Sequence, residues 1–220
     1  MNTLALNASN EEICQICRKL RLSSIGECVC TISEDPLNQP SAREVAVMLI
    51  NSVILARNTN KINRALKDLN VFYSDASIDR FYNNHDGLNL TTLKELCCCE
   101  WIKSRRNLLL LGPVMSGKTW IGDLLAVKAI TCGLKVYRRI FHEFCFKLTH
   151  SDSDEVLKFI DSLVNSYDLI YFDNFGHHQI DDEMASLLYL LFEKANKKCS
   201  IMITSVVGQE GWQDVFSSNL

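Results

Sequence analysis

The second half of the chain alternates short apolar runs with amphipathic stretches. Four runs have the length and composition of strands, and they occupy 107–112, 135–140, 169–173 and 200–205. Apolar positions three and four residues apart predict helices in the intervals, at 118–132, 141–150, 153–165 and 182–197. Strands that alternate with helices are typical of a doubly wound α/β fold, so the sequence predicts a parallel sheet flanked by helices.

The first half of the chain carries helical periodicity. Residues 11–30 predict a short helical segment after a frayed start at 1–10, and 35–40 (DPLNQP) predicts a break. A second helix is predicted to start after Ser41, because Ser41 and Glu44 have the spacing of a capping box.

That second helix is predicted to run to Ala56, and its periodicity resumes at 63–69. A loop is predicted at 75–89, and a helix at 91–103 leads into the first strand. We therefore predict two domains, a small helical N-terminal region with a linker at 1–90 and an α/β domain at 91–220.

The composition is that of an ordinary globular protein. Of the 220 residues, 47% are hydrophobic and 22% charged, and the net charge is −3. No overall basic field points to nucleic acid, so any DNA contact must be local or assembled by an oligomer. The longest uncharged apolar run, 45–56, is too short to span a bilayer, and the N-terminus does not resemble a signal peptide. We expect a cytoplasmic protein without a membrane partner.

Ten cysteines are many for such a chain. Three of them are consecutive, at 97–99, which does not suit a disulfide framework. A zinc site formed by Cys14, Cys17, Cys28 and Cys30 is left open by the sequence. The alternative is that Cys14 and Cys17 belong to the apolar stripe of a helix, because an unmodified cysteine packs as a small hydrophobic residue.

The segment 112–119 (GPVMSGKT) fits the phosphate-binding pattern G-x-x-x-x-G-K-[ST] at every fixed position. It also follows a predicted strand and opens a predicted helix, as a P-loop does. Its glycines let successive backbone N–H groups face phosphate oxygens, and the helix N-terminus adds partial positive charge. The residues expected to contact the nucleotide are Gly112, Pro113, Val114, Met115, Ser116, Gly117, Lys118, Thr119 and Trp120.

Two of these residues have specific expected roles. Lys118 should reach the β and γ phosphates, and the hydroxyl of Thr119 should bind Mg²⁺. Asp173 ends an apolar strand further along the chain, and it is the expected second magnesium residue. The alternative for Asp173 is a strand-end aspartate that caps the following turn.

These motifs, taken in order, resemble one family from about Lys19 onwards. The chain is similar to the IstB-like transposition helper ATPases, which are relatives of the DnaC-type helicase loaders within the AAA+ group. The similarity lies in KLRLSSIGE, in LLLLGPVMSGKTWIG, in the stretch from YDLIYFDNFG to SIMITS, and in EGWQDVF. The resemblance implies a protein that binds ATP and Mg²⁺, self-associates on DNA, and helps a transposase choose its target or loads a replicative helicase.

Two residues depart from the family's pattern. Asn174 stands where the family has a glutamate that acts on the attacking water, and a neutral amide is not a base. Val206 stands where the family has the asparagine of its sensor strand, and a valine side chain forms no hydrogen bond. The family also continues past residue 220 with a further strand, helices and arginine positions. The expectation is that ATP is bound but its hydrolysis is impaired.

Three other functions remain open at this point. An active DNA-dependent ATPase helper would receive its missing groups from a partner subunit. A non-catalytic pseudo-ATPase would join and cap a related oligomer. A P-loop kinase of small metabolites would need a lid and an acceptor site, which the sequence does not indicate. A truncated remnant of a mobile element, without function, is the further alternative.

Several charged groups outside these motifs have two interpretations each. His177 and His178 either face the nucleotide or lie in a solvated loop. Asp181 and the two acidic residues after it are expected to serve the start of a helix rather than to replace the missing base. The basic residues either contact DNA phosphates or form solvated surface such as a helix end, which is the more common case. They are Arg57, Lys61, Arg64, Lys67, Lys103, Arg105, Arg106, Arg138 and Arg139.

Overall fold

Four parallel strands form the sheet in the computed structural model, which describes residues 7–34, 40–73, 76–81 and 87–216. The strands are β1 (Leu108–Leu111), β2 (Val136–Ile140), β3 (Leu169–Phe175) and β4 (Ser200–Ser205). Their order across the sheet is β1-β4-β3-β2, and every neighbouring pair is parallel. β1 therefore lies at one edge, beside the strand that comes last in the chain.

Helices precede the sheet in the described part of the chain. They are α1 (Asn10–Lys19), α2 (Ser23–Glu34), α3 (Ala42–Leu69), α4 (Leu90–Cys97) and α5 (Glu100–Lys103). The single helical segment predicted at 11–30 is wrong, because the chain turns at Arg21, whose φ is +60°. The single helix predicted at 91–103 is interrupted in the same way at Cys99, whose φ is +61°. Left-handed backbone at one residue ends a right-handed helix.

The start of α3 follows the sequence prediction. The backbone N–H of Ser41 donates to Glu44 at 2.7 Å, and the Glu44 N–H donates back to the Ser41 hydroxyl at 3.4 Å. The helix then continues without the predicted interruption after Ala56. The predicted break at 35–40 and the frayed start at 1–10 lie largely outside the described residues.

The remaining helices cover both faces of the sheet, which confirms the predicted α/β fold. They are α6 (Lys118–Thr131), α7 (Phe141–Thr149), α8 (Ser153–Ser166), α9 (Asp182–Ala195) and α10 (Trp212–Val215). Buried side chains of α7, α8 and α9 form one apolar cluster with Ile170 and Phe172 of β3. The neighbouring residue Tyr171 points to the opposite face, where it approaches Gly122 of α6. This alternation along β3 places Asp173 on the α6 face as well.

The chain divides into two compact units, 1–64 and 65–220. Residues 65–90, which the sequence analysis grouped with the N-terminal region, belong to the second unit. The division into folding domains at residue 90 stays a prediction. Within the described residues, no helix has both the length and the apolar character that a membrane crossing requires.

Candidate nucleotide-binding site

The loop between β1 and α6 has the backbone that the phosphate-binding pattern requires. Gly117 precedes α6 with a φ of +84°, a conformation that favours glycine. At Gly112, an added Cβ atom would lie 3.1 Å from the Ser116 hydroxyl, so the loop closes tightly at that point. Val114 and Met115 at the crest are 70% and 97% exposed. Pro113, the other residue of the loop, lies between β1 and this crest.

The side chain of Lys118 folds back over this loop. Its Nζ donates to the carbonyl of Pro113 at 2.6 Å and to the hydroxyl of Ser116 at 3.3 Å. Burial lowers the pKa of the Lys118 ammonium, while the negative charge of Asp173 opposes that change. Burial beside the loop therefore disfavours the charge on Lys118, and the buried carboxylate of Asp173 offsets part of that effect.

Thr119 and Asp173 come together at the carboxyl end of the sheet, as the two sequence motifs predict. The Thr119 hydroxyl donates to Oδ1 of Asp173 at 3.0 Å. Hydroxyl and carboxylate oxygens are the donors that Mg²⁺ prefers, with phosphate oxygens and water completing its shell. The donor set at this point therefore fits Mg²⁺.

Asp173 is fully buried, and its carboxylate is held by more than Thr119. Oδ1 also accepts from the hydroxyls of Tyr171, at 3.2 Å, and Thr204. Oδ2 accepts from Nη2 of Arg138 at 3.2 Å. Four donors from four different positions thus fix the orientation of one carboxylate, which is far more support than a strand-end cap would need.

Arg138 is a functional candidate that the sequence analysis assigned wrongly. It was grouped with residues available for phosphate contact, but only 3% of its surface is exposed. Its Nε donates to Oδ1 of Asp123, also fully buried, at 3.2 Å. The signal that could have identified Arg138 is a charged residue within a predicted strand of a sheet covered by helices, since a buried charge requires partners.

Asn174 has a left-handed backbone, with a φ of +60°. It lies in an irregularity of the β3–β4 pairing, and its N–H donates to the hydroxyl of Thr204 at 3.0 Å. Its side chain is exposed, unlike those of the two residues beside it. β3 therefore extends past the predicted end at Asp173, and Asn174 points its amide away from the core.

The sensor position at Val206 follows β4 directly and is partly buried. The two polar residues before it are both used inside the fold. Thr204 bridges Asp173 and the Asn174 backbone, while Ser205 donates to the carbonyl of Phe175 at 2.8 Å. The last polar side chain of this strand therefore braces β3, and Val206 adds no hydrogen-bonding group.

Aromatic residues lie beside the first turn of α6. Trp120 stacks against Phe81, with ring centroids 6.5 Å apart. Asp123, one turn further along α6, accepts hydrogen bonds from the backbone N–H groups of Phe72 and Tyr73 at 2.9 and 3.1 Å. No sequence pattern indicates that this segment belongs to the site, because its position depends on a carboxylate about fifty residues away.

A cavity of about 210 Å³ opens next to Asn174. His177 and His178 line it, and His178 packs on His142 with ring centroids 4.7 Å apart. Asp181 also borders it, but its side chain accepts from the Met184 N–H at 2.8 Å and caps α9. The predicted helix-start role of Asp181 is therefore confirmed.

Other candidate groups are engaged elsewhere or lie apart from the site. Arg105 pairs with Asp168 at 3.2 Å, and Lys103 pairs with Glu100 at 2.7 Å. In the N-terminal helices, the sulfur atoms of Cys14 and Cys30 are 3.2 Å apart. Across the described residues, no cluster of three or more histidine, cysteine or acidic side chains has a geometry suited to a metal ion.

Comparison with known proteins gives a family that covers nearly the whole chain. The profile of the IstB-like ATP binding proteins matches residues 16–220. An insertion sequence IS232 putative ATP-binding protein of Bacillus thuringiensis subsp. berliner is 24% identical over 180 residues, which are 81% of this chain and 72% of that protein. An insertion sequence IS21-like putative ATP-binding protein of Bacteroides fragilis is 25% identical over 96% of this chain and 81% of its own length.

Among solved structures, the crystal structure of the DnaC helicase loader resembles this chain with a TM-score of 0.52. The sequences are 18% identical, and the match covers 65% of this chain and 84% of that one. Similarity at this level concerns the fold, and it agrees with the parallel sheet and P-loop described above.

Proposed function

The chain belongs to the family of IstB-like ATP-binding proteins, and we propose that it binds ATP together with Mg²⁺ as the helper protein of a DNA insertion sequence. In this proposal its own hydrolysis of ATP is impaired. Its partners are DNA, a transposase or a replicative helicase, and further copies of the chain.

One observation carries the nucleotide proposal, the 3.0 Å hydrogen bond between Thr119 and Asp173 beside the phosphate loop. Residues far apart in sequence converge at the start of α6, next to the ammonium of Lys118. Thr119 and Asp173 would hold the magnesium ion, which neutralises phosphate charge when bound. Lys118 would exchange the Pro113 carbonyl for phosphate oxygens, which are stronger partners for an ammonium ion.

The proposal of impaired hydrolysis rests on Asn174 and Val206. A general base needs a group that can take a proton near neutral pH, and a carboxamide cannot do so. Asn174 keeps the backbone of the site in place through its N–H, but it supplies no base. Val206 leaves its position without a hydrogen-bonding side chain. Binding and turnover are therefore expected to separate in this protein.

The proposal of DNA binding through an oligomer follows from the distribution of charge. The net charge is −3, so one copy has no general attraction for phosphates. Arg57, Lys61 and Arg64 are exposed on α3 at a spacing that places them along one helical face. Copies that assemble on DNA would add such local basic faces together.

The deciding experiment measures ATP binding and phosphate release on one preparation, with and without DNA. We expect Mg²⁺-dependent binding with negligible turnover, and loss of binding in Lys118→Ala. Asn174→Glu should recover part of the turnover, whereas Asn174→Gly, which preserves the backbone conformation without adding a carboxylate, should not. A native chain that hydrolyses ATP at an ordinary rate, with the rate abolished by Lys118→Ala, would refute impaired hydrolysis.

An ATPase completed by a partner subunit is the second candidate, because the Asn174 side chain is exposed and borders an open cavity. A carboxylate from another chain could approach it there. Turnover that appears only with DNA, or with a catalytically competent relative, would favour this function. Assembly with such a relative without any turnover would instead favour a pseudo-ATPase that caps the oligomer.

A further inference from the structure

Arg138 is the central residue of a buried ionic network behind the candidate magnesium residues. Its side chain is 2% exposed, and both carboxylates that it contacts are fully buried. Nε donates to Asp123 and Nη2 donates to Asp173, each at 3.2 Å. One guanidinium thus joins a carboxylate of α6 to the carboxylate at the end of β3.

The same guanidinium is fixed on its remaining sides. Nη1 donates to the carbonyl of Asn70 at 3.0 Å. The ring of Phe72 lies 4.7 Å from the guanidinium carbon, and the ring of Tyr171 lies 5.5 Å from it. A planar, permanently charged fork with three acceptors and two aromatic neighbours has a single preferred orientation.

The network also holds Asn70–Tyr73, the segment that follows α3. Asp123 accepts the N–H groups of Phe72 and Tyr73 on Oδ2, the oxygen that Arg138 does not contact. The Asn70 carbonyl binds Arg138 directly. These three hydrogen bonds tie the segment to Arg138 and to Asp123, the residue that Arg138 pairs with.

We propose that Arg138 is a positioning residue that couples the magnesium site to the Asn70–Tyr73 segment. This inference rests on the proposed binding of ATP with Mg²⁺. Arg138 occupies Oδ2 of Asp173, so the carboxylate presents Oδ1 toward Thr119. The Arg138 side chain thus sets both the orientation of Asp173, the proposed magnesium ligand, and the contacts that hold the Asn70–Tyr73 segment.

The charges give this coupling a direction. One guanidinium faces two buried carboxylates, so the network carries a net negative charge of one. When Asp173 shares its charge with a divalent cation, its attraction for Arg138 weakens. The guanidinium of Arg138 then interacts more strongly with its two remaining acceptors, the Asp123 carboxylate and the Asn70 carbonyl. Binding of the metal should therefore hold the Asn70–Tyr73 segment more firmly, and by reciprocity the ordered segment should favour the metal.

The test follows amide hydrogen exchange at Phe72 and Tyr73 in the full chain. Exchange is measured with ATP in EDTA and with ATP and Mg²⁺, each at an ATP concentration that saturates the protein under that condition, so that the difference isolates the metal. In the native chain we expect Mg²⁺ to slow exchange by about fivefold or more, the lower end of ordinary coupling between sites. In Arg138→Lys, which keeps the charge but not the three-way fork, the effect should fall below about twofold.

Arg139→Lys is the matched control, because Arg139 contacts the Tyr137 ring and a backbone carbonyl rather than either carboxylate. It should keep the full effect of Mg²⁺. Asp123→Asn is the second variant, since it preserves shape while removing the charge on which the segment depends, and it should also lose the effect. A role in stability alone would lower the melting temperature in these variants without changing the metal-dependent difference.

ATP binding is measured on the same samples to separate the two proposals. A native chain that binds ATP but shows no effect of Mg²⁺ at Phe72 and Tyr73 overturns the coupling alone. The coupling is also overturned if folded Arg138→Lys or Asp123→Asn retains the full effect. A native chain that binds no nucleotide overturns the proposed function, and the coupling with it.

Discussion

Gly122 and Tyr171 pack so closely that a Cβ atom on Gly122 would lie 2.2 Å from the Tyr171 hydroxyl. That hydroxyl donates to Asp173 at 3.2 Å. The absence of a side chain at Gly122 therefore makes room for one of the groups that orient the carboxylate. Replacing it should disturb the candidate site from a position that never contacts the nucleotide.

We expect Gly122→Ala to lower the free energy of unfolding by about 1–3 kcal/mol, because overpacking forces the ring of Tyr171 away from α6. Urea denaturation measures the loss. Adding Tyr171→Phe should recover part of it, since the hydroxyl is the atom in closest approach. Gly208→Ala is the control, because a Cβ there meets no atom within 4 Å. Equal stability of Gly122→Ala and the native chain would contradict this packing.

Thr204 should be sensitive to loss of its hydroxyl rather than to a change of shape. The hydroxyl accepts the Asn174 N–H and donates to Asp173, and the residue is fully buried. Thr204→Val keeps the shape but leaves both groups without this partner, at a cost of about 1–3 kcal/mol in stability. Thr204→Ser should retain most of the stability. If the valine and serine variants have the same melting temperature, the hydroxyl bridge does not contribute to stability.

Asn174 should tolerate glycine better than alanine. Its φ of +60° is a left-handed conformation that costs most residues about 1–2 kcal/mol but costs asparagine less and glycine almost nothing. We expect Asn174→Ala to be the less stable variant by about 1 kcal/mol in urea denaturation. Asn174→Glu should bear the same backbone cost, so any turnover it gains would arise in a less stable protein. An alanine variant as stable as the glycine variant would argue against this backbone conformation.

The cysteines should react in an order set by burial. Burial raises the pKa of Cys199 to about 11, whereas Cys98 is exposed. At pH 8 only about one Cys199 thiol in a thousand is then a thiolate, the form that reacts. Iodoacetamide should label Cys98 first, and labelling of Cys199 should rise about tenfold per pH unit until pH approaches 11. Mass spectrometry resolves the two sites.

Unfolding in urea provides the control for that order. All ten cysteines should then react at similar rates, because the burial that raises the pKa of Cys199 is lost. Prompt labelling of Cys199 in the folded chain would show that β4 opens readily at its start.

The local parts of the site were predictable from the sequence, and the long-range parts were not. Lys118 and Thr119 fall in a motif whose spacing alone indicates a loop before a helix. Asp173 follows from its place near the end of an apolar strand. The burial of Arg138 depends instead on carboxylates 15 and 35 positions away, which no local pattern records. The nucleotide and metal roles of these residues stay predictions until binding is measured.

Helix boundaries show the same limit. The turn at Arg21 interrupts an apolar periodicity that continues smoothly in sequence, so pattern alone predicts one helix where two exist. The residue with the left-handed backbone is an arginine, not the glycine or asparagine that usually indicates this conformation in a sequence. By contrast the capping box at Ser41 combines two side chains of specific chemistry, and it was predicted correctly.

The place of β1 at the edge of the sheet affects how the protein can be made on the ribosome. Among the described strands β1 pairs only with β4, the last to be synthesised, whereas β2 and β3 can pair earlier. At ordinary rates of translation, about 5–20 s therefore pass between the synthesis of β1 with its phosphate loop and the synthesis of β4, the strand that pairs with it. During that interval the leucines of β1 are exposed to chaperones and to neighbouring nascent chains. The part of the molecule expected to meet the nucleotide is thus among the last to acquire its shape.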